Sequence, residues 1–293
     1  MSIKKSVGER IFDFFNTIFM IVMIMITLYP MIYVVFASLS KPSLLSQETG
    51  LLLRPLGFSL ASYEAVFKNP SIISGYANTL FYTLVGTFIN LLLTSLGAYV
   101  LSRKNYLLKK AFTFLIIFTM FFSGGLIPTY LLVKSLHLID TRFALILPQA
   151  ISVWNLIVMR TSFSQVPDSL EESARIDGAN DFTILFRIVI PLSKAVIAVM
   201  FLFYAVGHWN SWLPATIYLR NRDLYPLQLI LREILIANDT NNMIDVANNA
   251  DREQISVTIK YATIMVATLP ILMIYPFIQK YFVKGVMIGA VKA

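Results

Sequence analysis

The chain has 293 residues, 57% hydrophobic and 14% charged, with a mean hydropathy of +0.71. So few charged groups do not cover a soluble surface of this size, and the composition reads as an integral membrane protein. Disulfides and thiolate chemistry are excluded by the absence of cysteine, and a histidine metal cluster by the presence of only His137 and His208. The net charge of +8 is explained by basic loops beside a membrane; no basic tract with interleaved aromatics points to nucleic acid.

A helix needs about 20 apolar residues to cross a hydrocarbon core of about 30 Å. Six stretches qualify, near 11–38, 76–101, 111–133, 143–163, 189–217 and 260–282, and they predict an all-α membrane protein with six transmembrane helices. The first follows Lys4, Lys5 and Arg10 as a signal sequence would, but its apolar run continues past a cleavable core and reads as a retained anchor. With the N-terminus inside, the cytoplasmic segments carry net +7 and the external ones net +1. Arg103, Lys104, Lys109 and Lys110 supply much of that bias from a short loop, where the positive-inside rule is most reliable. Both termini and the loop 164–188 are then expected in the cytoplasm, and the longer connections 39–75 and 218–259 outside. The second of these is polar and is expected to hold turns and a short helix near Leu227–Ala237. The expected organisation is an anchor with its external loop (1–75), a core with the loop 164–188 (76–282) and a C-terminal tail (283–293).

Within the spans, Arg160, Lys194 and Lys280 sit near expected cytoplasmic ends, where snorkelling is easy. Asn78, Asn90, Gln149, Asn155 and Asn210 either face a hydrated pathway or hydrogen-bond between helices. Span five ends in His208, Trp209, Asn210, Ser211 and Trp212. These suit either stacking on a sugar face with amide contacts to its hydroxyls, giving a candidate substrate pathway at Trp209, Asn210 and Trp212, or an interfacial aromatic belt. Prolines 30, 128, 148, 214, 270 and 276, with Gly124 and Gly125, are positioned to break or kink most spans. Arg220, Arg222 and Arg232 in the external loop match carboxylates in geometry, a binding-protein face equally, and solvent most simply. No GxxxxGK[ST] loop, HExxH or complete nucleophile elbow occurs, and no buried carboxylate supports an ion-coupled carrier. Any ATP used is therefore bound by another subunit.

Residues 171–191 form a charged, glycine-broken amphipathic segment between two long apolar runs. Pro167, Asp168 and Ser169 are start signals, and Ser169 with Glu172 has capping-box spacing, which predicts a helix from Ser169. Gly178 is placed to close it, and Asn180 or Asp181 to cap a second helix with Phe182, Leu185, Phe186 and Val189 on one face. By spacing alone this is either an interfacial loop lying on lipid or a docking element for an aqueous partner.

Glu172, Ser173, Ala174, then Asp177, Gly178 and Ala179, with Ile188, Ile190 and Pro191 closing, resemble the EAA, three residues, G, I-x-L-P motif of ATP-binding-cassette importer permeases. Serine replaces the central alanine and isoleucine the leucine before proline. The sequence WNSW at 209–212 and the ending QKYFVKGVMIGAVKA are similar to the carbohydrate branch, which includes the smaller maltose-importer permease and members assigned to uronate-containing oligosaccharides. The resemblance implies a type I importer fold and an importer of sugars, oligosaccharides among them, in which Glu171, Glu172, Ser173, Ala174, Asp177, Gly178 and Ala179 contact an ATPase. It also implies a heterodimer with a second, homologous permease, two ATP-binding subunits that use ATP and Mg²⁺, an extracytoplasmic solute-binding protein, and surrounding bacterial plasma-membrane lipid. No cofactor on this chain and no catalytic residue is expected. The competing readings are an exporter, an ion-coupled or self-sufficient carrier, and an intramembrane enzyme.

Overall fold

The computed structural model describes residues 6–104, 106–236, 256–274 and 276. The described residues are helical, with a single antiparallel bridge between Ser40 and Phe58 in place of any strand. Helices α1 (Val7–Ser38), α4 (Pro70–Ser102) and α15 (Ser256–Ile274) are each long and apolar enough to cross a membrane. Three bent pairs pass the same test jointly: α5 (Lys109–Phe121) with α6 (Leu126–Ser135) at 115°, α7 (Phe143–Ile146) with α8 (Val153–Phe163) at 53°, and Asp181–Leu192 with α12 (Lys194–Trp209) at 89°.

Contacts divide the chain into two units. The first holds residues 1–70 and 233–269. Ser6 and Glu9 close a capping box that starts α1, and Pro30 lies inside that helix. The helix is exposed along most of its length, as suits contact with lipid. Its last turns pack Ala37 with Leu45 and Leu52, Ser38 Oγ shares a hydrogen bond of 2.8 Å with Tyr63, and Tyr33 meets Tyr261 edge to face at 5.7 Å. The connection 39–70 therefore has structure of its own, with α2 (Pro42–Leu45) and α3 (Ala61–Lys68).

The second unit, residues 71–232 with 270–293, has two apolar clusters. One gathers Ala98, Leu101, Leu156, Met159, Phe163, Ile184, Leu185, Val189 and Met200; the other gathers Tyr82, Val133, Leu145, Ile146, Ala215, Tyr218, Leu219 and Leu229. α4 runs through both and buries Asn78, Thr79, Asn90, Thr94 and Ser95 along the way.

The span expected at 111–133 is not one rod. Phe122 is extended, and Gly125, at φ 85°, takes a conformation that side-chain-bearing residues rarely adopt, so the chain turns sharply before α6. The expected span 189–217 also differs: its helix starts within Asp181–Leu192, bends at Ser193, and ends at Trp209, with α13 (Leu213–Tyr218) a separate piece. Proline at 191 removes one backbone donor at the bend. α14 (Leu227–Ile236) matches the short helix expected near Leu227–Ala237, apart from Ala237, which lies outside the described residues with the C-terminal tail and Lys280.

Candidate functional site

The 164–188 segment folds as helix, turn, helix. α9 (Asp168–Ile176) starts one residue before the expected cap: Pro167, at φ −59°, sets the entry without a side-chain cap, and Ser169 lies inside the first turn. Asp168 and Glu171 place carboxylates at the positive end of the helix dipole. The end is a Schellman turn, with Ala179 N donating to Ala174 O at 2.9 Å and Gly178 N to Arg175 O at 3.0 Å. Gly178 has φ 81°, as this turn requires. Asn180 caps the next helix, α10 (Asp181–Ile184), by accepting from Thr183 N at 2.8 Å, and Asp181 pairs with Arg175 across the turn.

The expected apolar face of that second helix is only half right. Ile184, Leu185 and Val189 are buried, while Phe182 and Phe186 are exposed at 65% and 45%. A π-helical stretch at Leu185–Val189 accommodates one extra residue per turn, which breaks the regular spacing on which the expectation rested.

Several side chains tie α8 and α9 to the end of α4. Glu171 is buried and pairs with Arg103, whose guanidinium also donates to Ser102 Oγ at 2.8 Å and to Phe163 O at 3.1 Å and lies 4.8 Å from the Tyr99 ring centre. Arg160 Nε donates to Leu101 O at 3.2 Å, and exposed Lys104 pairs with Asp168. That last hydrogen bond raises the Lys104 ammonium above its ordinary pKa and holds the Asp168 carboxyl below the usual carboxylate value. With Glu171 turned inward, the outer surface of the loop carries Glu172, Ser173, Asp177 and Gly178, while Ala174 and Ala179 are half-buried. Ile176, beside them, is 87% exposed.

A second set of contacts lies deeper. Asn90 Nδ2 donates to Gln149 O and Ala150 O, both at 2.8 Å, where the 147–152 break frees helix carbonyls. Its Oδ1 lies 2.6 Å from His208 Nε2, so with both amide hydrogens committed to carbonyls, Nε2 is the imidazole nitrogen that donates. Tyr204 OH shares 2.7 Å with Thr94 Oγ1 and accepts from Ser152 N at 3.1 Å. Asn78 works similarly, donating to Asp223 O at 2.6 Å and accepting from Arg142 at 3.2 Å. The asparagines at 78 and 90 thus serve interhelix bonding, and Asn155 is buried at the start of α8.

The 208–212 cluster does not stay together. His208 and Trp209 are buried, Trp209 against Tyr76 with ring centres 6.4 Å apart, and its indole N–H has no partner among the described residues. Asn210 is exposed, and Trp212 lies under the Arg232 guanidinium at 3.6 Å. Sequence reasoning overlooked Gly86, Thr94 and Tyr204 and saw Arg103 only as a loop charge. Each acquires its role from partners far away in sequence, and no local spacing signals that.

Bent apolar helices, hydrogen-bonded amides within them and a charged helix-turn-helix loop define a membrane-embedded transport subunit. The chain belongs to the family of binding-protein-dependent transport system inner membrane components, whose model matches residues 55–288. It is 43% identical over 287 residues to Protein LplC of Bacillus subtilis (strain 168), covering 97% of this chain and 95% of that one. It is 42% identical over 286 residues to the polygalacturonan/rhamnogalacturonan transport system permease protein YtcP of the same strain, covering 97% and 99%. Its fold matches, with a TM-score of 0.88 and 32% identity over 96% of this chain and 100% of the other, a crystal structure of a bacterial ABC transporter involved in the import of the acidic polysaccharide alginate. The architecture is that of a type I ABC importer permease, a multi-pass component of the bacterial plasma membrane. Such permeases are not enzymes, since partner ATPases hydrolyse the ATP, and they work with a second permease and a solute-binding protein. The carrier, exporter and enzyme readings find no support.

Proposed function

We propose that this permease carries acidic, uronate-containing oligosaccharides across the plasma membrane, and that α9 with the Gly178 turn is the element seated in an ATPase subunit. The substrate reading is supported by two relatives with acidic polysaccharides in their names and by the Arg232 guanidinium, which lies on Trp212 with N–H edges suited to a carboxylate. In this reading the chain has six spans, each bent pair counting as one, with both termini and α9 in the cytoplasm; the excess of Lys and Arg in the loops on that side supports it. A homologous permease completes a heterodimer, and two ATPases using ATP and Mg²⁺ dock beneath. An apolar groove of about 870 Å³ beside α8 and α12, edged by Thr161, Ser162, Gln165 and Ser193, suits a protein neighbour better than lipid.

The outer surface of α9 carries the coupling reading. A helix fixed from behind by Arg103 and Glu171 exposes Glu172, Ser173, Asp177 and an isoleucine at 87%, a mixture of charge and bare apolar surface that fits a protein socket. ATP-driven closure of the ATPases then displaces α9 and switches the pathway between its two openings. Trp209, Asn210 and Trp212 stay with this proposal as pathway residues, Trp209 as a buried wall and the other two as exposed contacts.

The test is to purify the tagged protein from its native membrane, identify its companions and reconstitute uptake. Wild type is expected to bring a second permease and an ATPase, and to import galacturonate oligomers in preference to neutral ones. Glu172→Lys is expected to lose the ATPase and uptake while still inserting in the membrane. Normal transport by that variant would refute the coupling assignment, and equal uptake of neutral oligomers would refute the acidic substrate.

A further inference from the structure

Between the two apolar clusters of the second unit, the span from Phe143 to Phe163 is interrupted and bent by 53°. Such a break usually offers a hinge, because the freed backbone groups are easily rearranged. Here they are held. Asn90 takes the carbonyls of Gln149 and Ala150 and Tyr204 takes the amide of Ser152, so bonds from α4 and α12 grip three of the four residues from 149 to 152. Each gripping side chain is itself held, Asn90 by His208 at 2.6 Å and Tyr204 by Thr94 at 2.7 Å. Asn90 and Thr94 are fully buried, and His208 is 6% exposed. The helices are in close approach as well: a Cβ on Gly86 would lie 2.5 Å from His208 Nε2, so only glycine admits the imidazole.

α8 leaves this point and leads through residues 164–167 into α9, whose Glu171 is paired with Arg103 just beyond the end of α4. α4 and α8 are thus fastened at two levels, and α12 is fastened to the inner one.

We propose that Asn90, His208, Thr94 and Tyr204 are positioning residues of the transport cycle, locking the break at 149–152 so that a displacement of α9 passes along α8 to α4 and α12 instead of being absorbed by bending. The inference rests on α9 being the ATPase-facing helix, but the lock is measurable apart from that. His208 acts through Asn90: it holds the amide in the one orientation that presents both N–H groups to the break. A glutamine at 208 can donate to the same oxygen, whereas a leucine cannot.

The natural chain has no cysteine, so Phe143→Cys and Ser164→Cys, both at exposed positions, give a spin-labelled pair spanning the bent helix. Electron-resonance distances are measured in the complete importer, nucleotide-free and with ATP trapped. A single narrow distance common to both states is expected. Tyr204→Phe and His208→Leu are expected to broaden it and to raise the ATP hydrolysed per solute imported at least about threefold, and His208→Gln to restore both readings. Tyr204→Phe removes one oxygen and decides the matter if His208→Leu fails to assemble. A distance that changes with nucleotide in the unaltered lock, or variants with unchanged distance and ATP ratio, would overturn the proposal. If instead Glu172→Lys retains its ATPase while the distances behave as expected, the lock stands and the coupling assignment of α9 falls.

Discussion

The end of α4 is joined to α9 by a fastening at the 103–171 end, made of charges, and its middle to the break before α8 by another at Asn90, made of neutral groups. The first uses Arg103 with Glu171 and Lys104 with Asp168; the second uses an amide, an imidazole, a phenol and a threonine hydroxyl. Depth in the membrane accounts for the difference. A full charge in the hydrocarbon region is costly, whereas near a helix end water and headgroups reach it, so ion pairs are affordable only at the rim. Neutral hydrogen bonds are modest individually, but leaving a backbone carbonyl unpaired in a waterless layer is expensive, and this makes the deeper joint selective. The lesson is that strength at the rim depends on burial, and at depth on complete pairing.

Glu171→Gln is expected to have the largest effect, because it leaves the Arg103 guanidinium, whose side chain is only 17% exposed, without its counter-charge. A loss of about 3 kcal/mol, read from thermal unfolding of the purified importer, fits the removal of one partner from a buried pair. An unaltered melting temperature would mean that the rim joint is as solvated as a surface pair. Gly86→Ala follows: the added methyl meets the His208 ring and should cost about 2 kcal/mol as overpacking. Full tolerance of that methyl would show the neutral joint to be looser than its distances imply.

Lys104→Ala should change the melting temperature least, since both members of its pair with Asp168 are exposed. Its pH profile sharpens the contrast. The Asp168 carboxyl, held low by the Lys104 hydrogen bond, contributes fully above the ordinary carboxylate range and loses that contribution as pH falls through its lowered value. Lys104, raised by the same bond, contributes fully below the ordinary lysine range and loses its share as pH rises through its raised value. Unfolding measured between those limits should be flat with pH for this pair, and added salt should weaken it while leaving the Asn90 joint unaffected. Equal salt sensitivity at both joints would erase the distinction.

Much of the fold and part of the site are legible in the sequence, and the boundary has a physical cause. Gly178 could be read because a glycine after a charged helix is a local conformational signal, and Asn180 because capping acts over three residues. The length and apolarity of α1 and α4 were equally local properties. Glu171 and Glu172 were indistinguishable by residue type, and only the arrival of Arg103 turns one inward and leaves the other exposed. The burial of His208 and Trp209 likewise depends on which helix lies alongside. Phe182 and Phe186 were misplaced because a π-turn alters the period that the reading assumed.

The sequence separation of the deep joint bears on how the protein is made. Asn90 and His208 are 118 residues apart, so α4 is synthesised and delivered to the membrane well before its imidazole partner exists. Until α12 follows, the amide in α4 has to borrow partners from water, the insertion machinery or a neighbouring helix. α4 is also less apolar than α1, with a hydropathy of 1.8 against 2.5. The first helix is equipped to enter lipid by itself, while α4 is a dependent helix whose final seat is available only once the later spans have been assembled around it.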